Sequence, residues 1–504
     1  MKLPFLLLPV ALAFLLAPPA IGQPDPLRIE VTIDPAVYSE PVTGRLLVFF
    51  SPTVEPEPRF GGPLSALEPV VALDVVNFTA ADTAVIDVAG WSRPEALSFP
   101  GPLRRLEPGR YFMQALIDTN RTQRDFNAAP GNLYGPTEER EVHPLESGLI
   151  QLTVDRVVEE EHPADTEWVE LAEHRSEMLS AFYGWDHYHR AGVILPPGYH
   201  NNPDQYYPVV YVIPGFGGRH TRAWAWIDGP SGAQWRAGDW PMPMIRIVLD
   251  PDVPLGHHKF ANSANKGPVG DAFITEFIPL LEEHYRIIPE THARFVKGHS
   301  SGGWSSLWLQ VTYPDVFGGT WSTAPDPVDF TAFQIIDAYE DRNAYWDPLG
   351  HPRPSMRQDN DIVLTIREEN LYEYVTGPGG QWGSWFAAFG PRGADGLPVH
   401  PWHPLVGEID HSVTETWRAY EIRSNIEENW DELGPRLQNK LHIIGGAEDN
   451  FYLETSLRML KDFLDRQDHG GYVEIHPGDH GSFLTPELIR RMNAEMAARF
   501  GAAQ

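Results

Sequence analysis

One segment constrains the fold more than any other. Val296-Lys297-Gly298-His299-Ser300-Ser301-Gly302-Gly303-Trp304 sets Gly298-x-Ser300-x-Gly302 between an apolar strand, Phe295–Gly298, and a helix-like stretch. A serine there sits on a sharp strand-to-helix elbow. Small neighbours are needed because a Cβ at position 298 or 302 would collide with adjacent backbone. The helix that follows directs N–H groups at the same spot, which favours developing negative charge. Such an elbow belongs in a mostly parallel sheet covered on both faces.

The chain around it fits that expectation. Apolar strands are expected at Ala191–Leu195, Val209–Pro214, Met244–Leu249, Gly318–Ser322, Leu441–Gly445 and Tyr472–Ile475, with helix-like stretches between them. Phe273, Phe277, Leu281 and Tyr285 repeat at helical spacing, with Pro279 kinking or restarting the helix. Leu453, Leu457, Leu460 and Leu464 form a second stripe. Residues 330–436, rich in aromatics, Gly and Pro, exceed an ordinary connection and read as an inserted cap or lid. Before the charged linker at Glu159–Asp165 the pattern changes. Leu27, Ile29, Val31 and Ile33 alternate with polar residues, and further short apolar runs separated by Pro/Gly turns follow. Residues 23–158 therefore read as a small β-sandwich, and 159–504 as the catalytic α/β domain.

Ser300 needs a base, and the base an orienting acid. Leu441–Gly445 runs into Glu448-Asp449, and Tyr472–Ile475 runs into His476-Pro477-Gly478-Asp479-His480. Both deliver side chains to the sheet edge that carries Ser300, where open α/β sheets bind ligands. His480 is preferred over His476 because it lies in the loop, and Asp449 over Glu448, with Asp326 a third candidate acid. The strand Tyr207–Ile213 ends in Pro214-Gly215-Phe216-Gly217-Gly218, a loop suited to offering the Phe216 N–H opposite that of Ser301 as an oxyanion hole. The loop lacks the Gly-Lys-Ser/Thr ending of a phosphate-binding loop. Trp382 and Trp385 are candidates for a wall over the site. His187 with His189, and His257-His258 beside Asp250 and Asp252, lack the further ligands of a metal centre, and no metal or other cofactor is expected. The polar loop Asn262–Pro268 reads as a structural anchor.

These motifs, with Val193–Tyr199, Tyr207–Gly218, Glu276–Pro279, Arg294–Gly303 and Pro477–His480, resemble the esterase D-type "putative esterase" family of α/β-hydrolases. That family includes feruloyl, acetyl-xylan and enterochelin esterases and mycolyltransferases. The resemblance spans roughly Glu177 to Phe500. It implies an α/β-hydrolase fold, a carboxylic ester hydrolase, Ser300 as nucleophile, His480 as base, Asp449 as acid and a metal-free site. Pro214 stands where many relatives carry a histidine, and the long insertion is a second departure.

Composition bounds the alternatives. There is no cysteine, which removes thiol nucleophiles, disulfide scaffolds and Cys-bound metals. A net charge of −31 argues against nucleic acid as a partner and favours neutral esters, small or polysaccharide-linked, unless the few cations gather near Ser300. Residues 1–22 read as a secretory signal peptide, Lys2 preceding a short apolar stretch, with no integral membrane segment after its removal. An exported or periplasmic hydrolase is the expectation. An acyltransferase on the same triad, or a non-catalytic cell-surface binding protein, are the alternatives.

Overall fold

Alternating strands and helices build one large sheet, whose strands are numbered here in chain order. They are β1 (Val169–Arg175), β2 (Tyr188–Ile194), β3 (Val209–Ile213), β4 (Ile245–Leu249), β5 (Arg294–His299), β6 (Gly319–Thr323), β7 (Leu441–Gly446) and β8 (Tyr472–His476). Their spatial order is β1-β2-β4-β3-β5-β6-β7-β8. β2 runs antiparallel to β1 and β4, and every other pairing is parallel. This is the order of the α/β-hydrolase fold. The computed structural model describes residues 25–88, 96–161, 163–359 and 361–502, so the expected signal peptide lies outside the described residues.

Every residue of β4, β6 and β7 is buried, as strands covered on both faces require. Tyr211, Ile213, Ile247 and Val296 pack on one face, and Val210, Val248, Phe295 and Trp321 on the other. The helices that bear on the site are α1 (Arg222–Asp228), α2 (Pro230–Arg236), α3 (Ser301–Thr312), α4 (Ile366–Thr376), α5 (Gln381–Phe389) and α6 (Pro486–Gly501). The stripe Leu457, Leu460 and Leu464 is buried along the helix Glu454–Leu464. At Pro279 the chain does not break. Phe273–Phe277 forms a π-helical turn, and Pro279 sits in the first turn of Ile278–His284, where its missing N–H costs nothing.

One strand was not anticipated. β1 was not expected as a strand, because only Val169 and Ala172 of its seven residues are buried and no clean alternation results. Many aromatics of 330–436 lie in the interior. Phe333, Trp382, Trp385, Phe389, Trp402 and Trp417 form one buried cluster with Trp304 of α3.

The N-terminal region is β-rich. Asp25–Ile33, Ala84–Asp87 and Ser147–Val154 form a three-stranded sheet beside a seven-stranded one. Leu27, Ile29 and Val31 from the first share a core with Leu46, Val48 and Phe50 from the second. The opposite side of the larger sheet is also covered: Leu47, Phe49, Val70 and Phe99 pack with Leu371 and Val375 of α4. Arg45 Nη1 donates to the carbonyls of Tyr374 and Val375 at 3.1 and 3.2 Å. No helix among the described residues is long and apolar enough to cross a membrane.

Candidate active site

β5 ends at His299, and the next residue takes the backbone through the elbow. Ser300 has φ 58° and ψ −125°, a conformation costly for a residue with a Cβ. The turn is held by Ser300 N–H donating to Thr323 O (2.9 Å) and Trp304 N–H donating to Ser300 O (3.0 Å). The glycines are dictated by space rather than by φ. A Cβ on Gly298 would lie 2.0 Å from Gly302 O, and one on Gly302 would lie 2.0 Å from Ile213 O.

The loops after β7 and β8 meet beside this elbow. Gly446 is packed so closely that a Cβ would lie 2.4 Å from Asp479 O, which lets the two loops touch. His480 Nδ1 and Asp449 Oδ2 are 2.7 Å apart, and Asn450 Oδ1 accepts from the His480 N–H at 3.1 Å. Asp449 is fully buried, its carbonyl held by Arg357 Nε at 3.0 Å. The His480 ring stands 4.7 Å from that of His299 and edge-on to Phe451 at 5.0 Å. Burial alone would lower the His480 pKa, but the Asp449 hydrogen bond and charge, aided by Asp326 and Asp479, raise it above the ordinary imidazole value. Ser300 and His480 line one cavity of about 540 Å³.

The other two candidate acids are placed elsewhere. Glu448 is exposed, and its N–H donates to Gly478 O at 3.0 Å. Asp326 is buried and accepts from Lys259 Nζ (2.6 Å), Ser301 Oγ (2.7 Å) and Trp385 Nε1 (2.7 Å). Burial opposes its ionisation, yet the Lys259 charge and these donors hold its pKa below the usual value. Asp326 therefore fixes the start of α3 to α5, while Asp449 is the carboxylate hydrogen-bonded to His480. The two tryptophans also separate. Trp385 lines the cavity, whereas Trp382 is wholly buried with its Nε1 on Glu369, so as a wall residue Trp382 is corrected to core.

The glycine loop after β3 closes the site from the far side. A Cβ on Gly215 would be 3.3 Å from Ser300 Cβ, and Phe216 and Ser301 are the residues immediately after this contact. Pro214 O is 2.9 Å from His257 Nε2, while His257 Nδ1 accepts the Lys259 N–H at 3.1 Å, so Nε2 carries the proton. Burial, with the Lys259 charge, keeps this imidazole neutral. Asp250 anchors the loop's end through His220 Nδ1 (2.6 Å) and Arg219 (2.8 Å). His257 is thus a loop support. His189 is stacked on Phe277. The Asn262–Pro268 segment is likewise an anchor: Asn265 Nδ2 donates to Ala387 O and Gly390 O, and Lys266 Nζ to His257 O and Ser384 O.

Sequence reasoning missed three contributors. Lys259 pairs with Asp326 across 67 residues, and nothing local signals it. Gln381 Nε2 reaches Ser301 Oγ at 3.3 Å. The β-rich region supplies Leu64 to the cavity lining and Arg124, whose guanidinium lies 4.4 Å over the Phe216 ring while pairing with Asp252 at 3.2 Å.

An eight-stranded sheet of this order, with a serine at the β5 elbow and a histidine after β8, defines an α/β-hydrolase. Residues 186–374 match the family model described as "Putative esterase", and the enzyme is a carboxylic ester hydrolase. No curated protein matches the chain. Among solved structures it is similar to a ferulic acid esterase, at 13% identity and TM-score 0.43, covering 66% of this chain and 99% of that one. It is similar too to a fluorophosphonate-binding serine hydrolase of Staphylococcus aureus (17%, TM-score 0.38, covering 65% and 98%). A third is an S-formylglutathione hydrolase from Agrobacterium tumefaciens (15%, TM-score 0.39, covering 66% and 95%).

Proposed function

We propose an exported serine esterase in which Ser300, His480 and Asp449 form the catalytic triad. The observation that carries the reading is the Asp449–His480 hydrogen bond of 2.7 Å in a cavity shared with Ser300. Asp449 accepts from Nδ1 and leaves Nε2 free to take the Ser300 proton as Oγ attacks the ester carbonyl. The imidazolium so formed is stabilised by the buried carboxylate, then protonates the departing alcohol. The N–H groups of Phe216 and Ser301 receive the oxyanion, favoured by the start of α3. Water, activated by the same histidine, releases the acid from the Ser300 acyl-enzyme.

Residues 23–158 are read as a β-sandwich domain and 330–436 as an insertion roofing the site, a role supported by Gln334, Gln381 and Trp385 in the cavity lining. Export rests on the leader-like residues 1–22. The substrate is a small or polysaccharide-linked ester. A fluorophosphonate probe should label the protein at Ser300, and short p-nitrophenyl esters should be hydrolysed. Ser300→Ala should lose both; a folded wild-type protein that is neither labelled nor active would sink the reading.

A further inference from the structure

The cavity that holds Ser300 and His480 continues along one face of the sheet, beneath α1, α2 and α6. Arg246 of β4, Val248, Val212 of β3 and Lys297 of β5 all line it. Pairing explains why: Val212 is in register with both Val248 and Lys297, and Arg246 lies two residues before Val248, so all four side chains share that face. Trp226 of α1, Met492 of α6 and Trp240, in the segment after α2, line the same crevice.

Two cations at the floor of an apolar crevice demand an explanation. Arg246 is only 8% exposed, its Nε has no hydrogen-bond partner, and its guanidinium lies 4.6 Å over the Trp226 ring. Neither it nor Lys297 has an ion-pair partner among the described residues. The nearby acids are engaged elsewhere: Asp326 with Lys259, and Glu495 of α6 with Trp321, Tyr472 and Arg491. Burial lowers Arg246 to about 10, and burial with the Arg246 charge lowers Lys297 to about 7, so Arg246 is the standing charge and an arriving anion would draw Lys297 to its protonated form. Unpaired buried charges are costly to a fold and rarely kept without use. Arg222 of α1 stands at the mouth, its Cζ 2.9 Å from where a Gly218 Cβ would be. Asn493 and Ser231 add neutral polar groups to the lining.

We propose that this crevice binds an anionic terminus of the ester substrate, with Arg246 and Lys297 as its counter-charges and Arg222 guiding entry. This rests on the esterase reading and names its substrate class: esters with a short apolar arm ending in a carboxylate or a related anion. The arm length follows from the sheet. Lys297 precedes Ser300 by three residues, about 10 Å of strand, so a few methylenes or one ring span the gap. The net charge of −31 does not oppose this. At physiological salt, exposed acids are screened within about 8 Å, whereas a buried cation pair acts at contact.

The test compares kcat/KM for mono-p-nitrophenyl adipate with that for p-nitrophenyl hexanoate, chains of equal carbon number. A phosphonate-terminated chain of that length separates carboxylate from phosphate-type recognition, and 4-carboxyphenyl against phenyl butyrate tests the alcohol side. On at least one side the anionic ester should be favoured, and that ratio should fall about tenfold or more in Arg246→Met and in Lys297→Met, with partial recovery in Arg246→Lys. Arg246→Met should also raise Tm, because it removes an unpartnered buried charge. Ratios below one on both sides, or ratios that neither substitution changes, overturn the proposal. Calorimetric titration of Ser300→Ala with monomethyl adipate reads binding without turnover. Binding that disappears in Ser300→Ala/Arg246→Met supports the site even if hydrolysis fails. No binding alongside hydrolysis of neutral esters rejects the site and leaves the esterase reading standing.

Discussion

His480 and Asp449 share a 2.7 Å hydrogen bond between Nδ1 and Oδ2, with the carboxylate shielded from water. Burial pulls the imidazole pKa down, and the Asp449 bond and charge more than reverse it. A base must be neutral to act, so kcat/KM should rise with pH through an apparent pKa above about 6.5, the ordinary histidine value. A pH–rate profile on a neutral p-nitrophenyl ester checks this, and a wild-type inflection well below that value would contradict it. The sign for stability is opposite. A raised histidine pKa stabilises the fold fully below the unfolded value, and this contribution is lost as pH climbs through the folded one.

Asp449→Asn keeps the side-chain shape but removes the charge and, with its oxygen held by the Phe451 N–H, turns an amide NH2 rather than an acceptor toward Nδ1. The expected loss in kcat is about 10⁴-fold with the fold intact. Circular dichroism beside steady-state rates would separate a chemical defect from an unfolded protein. Glu448→Gln, at an exposed side chain, should leave rates near wild type.

Lys259→Met should destabilise the protein by about 3–5 kcal/mol, because it strands the buried Asp326 carboxylate. Thermal melts read it directly. Adding Asp326→Asn to the same chain should recover part of the loss, since the uncompensated charge is then gone. No recovery would mean that packing rather than charge dominates there.

Gly302→Ala drives a Cβ to 2.0 Å from Ile213 O, so the elbow must shift and stability should fall by about 3 kcal/mol or more. Gly481→Ala is the control. A Cβ there meets nothing within 4 Å, and its stability should stay within about 0.5 kcal/mol of wild type.

What could be read from the sequence divides along physical lines. The elbow at Ser300 and the loop bearing Asp449 were legible because each follows a largely buried strand, a signal carried within a dozen residues, whereas the loop bearing His480 follows an edge strand with only Val473 buried and was found from the order of the motifs. β1 was not, since an edge strand with Val169 and Ala172 as its buried residues shows no periodicity. Trp382 and Trp385 lie three positions apart on α5 and share one buried cluster, yet only Trp385 also reaches the cavity. Tertiary packing decides this: Phe333 meets both rings, while Trp402 covers Trp382. Lys259 with Asp326, and Arg124 with Phe216, are pairings across distant segments, and composition cannot announce them.

The seam between the β-rich region and α4 has a practical consequence for anyone expressing this chain in pieces. Cutting it at the charged stretch near 159 would strip Leu371 and Val375 of their partners Leu47, Phe49 and Val70, and leave Phe216 without the Arg124 stacked upon it. The shortened product would carry a sticky apolar face and a loosened glycine loop after β3. It should precipitate or work poorly, so the two halves are best treated as one heritable unit rather than as an enzyme with a detachable accessory.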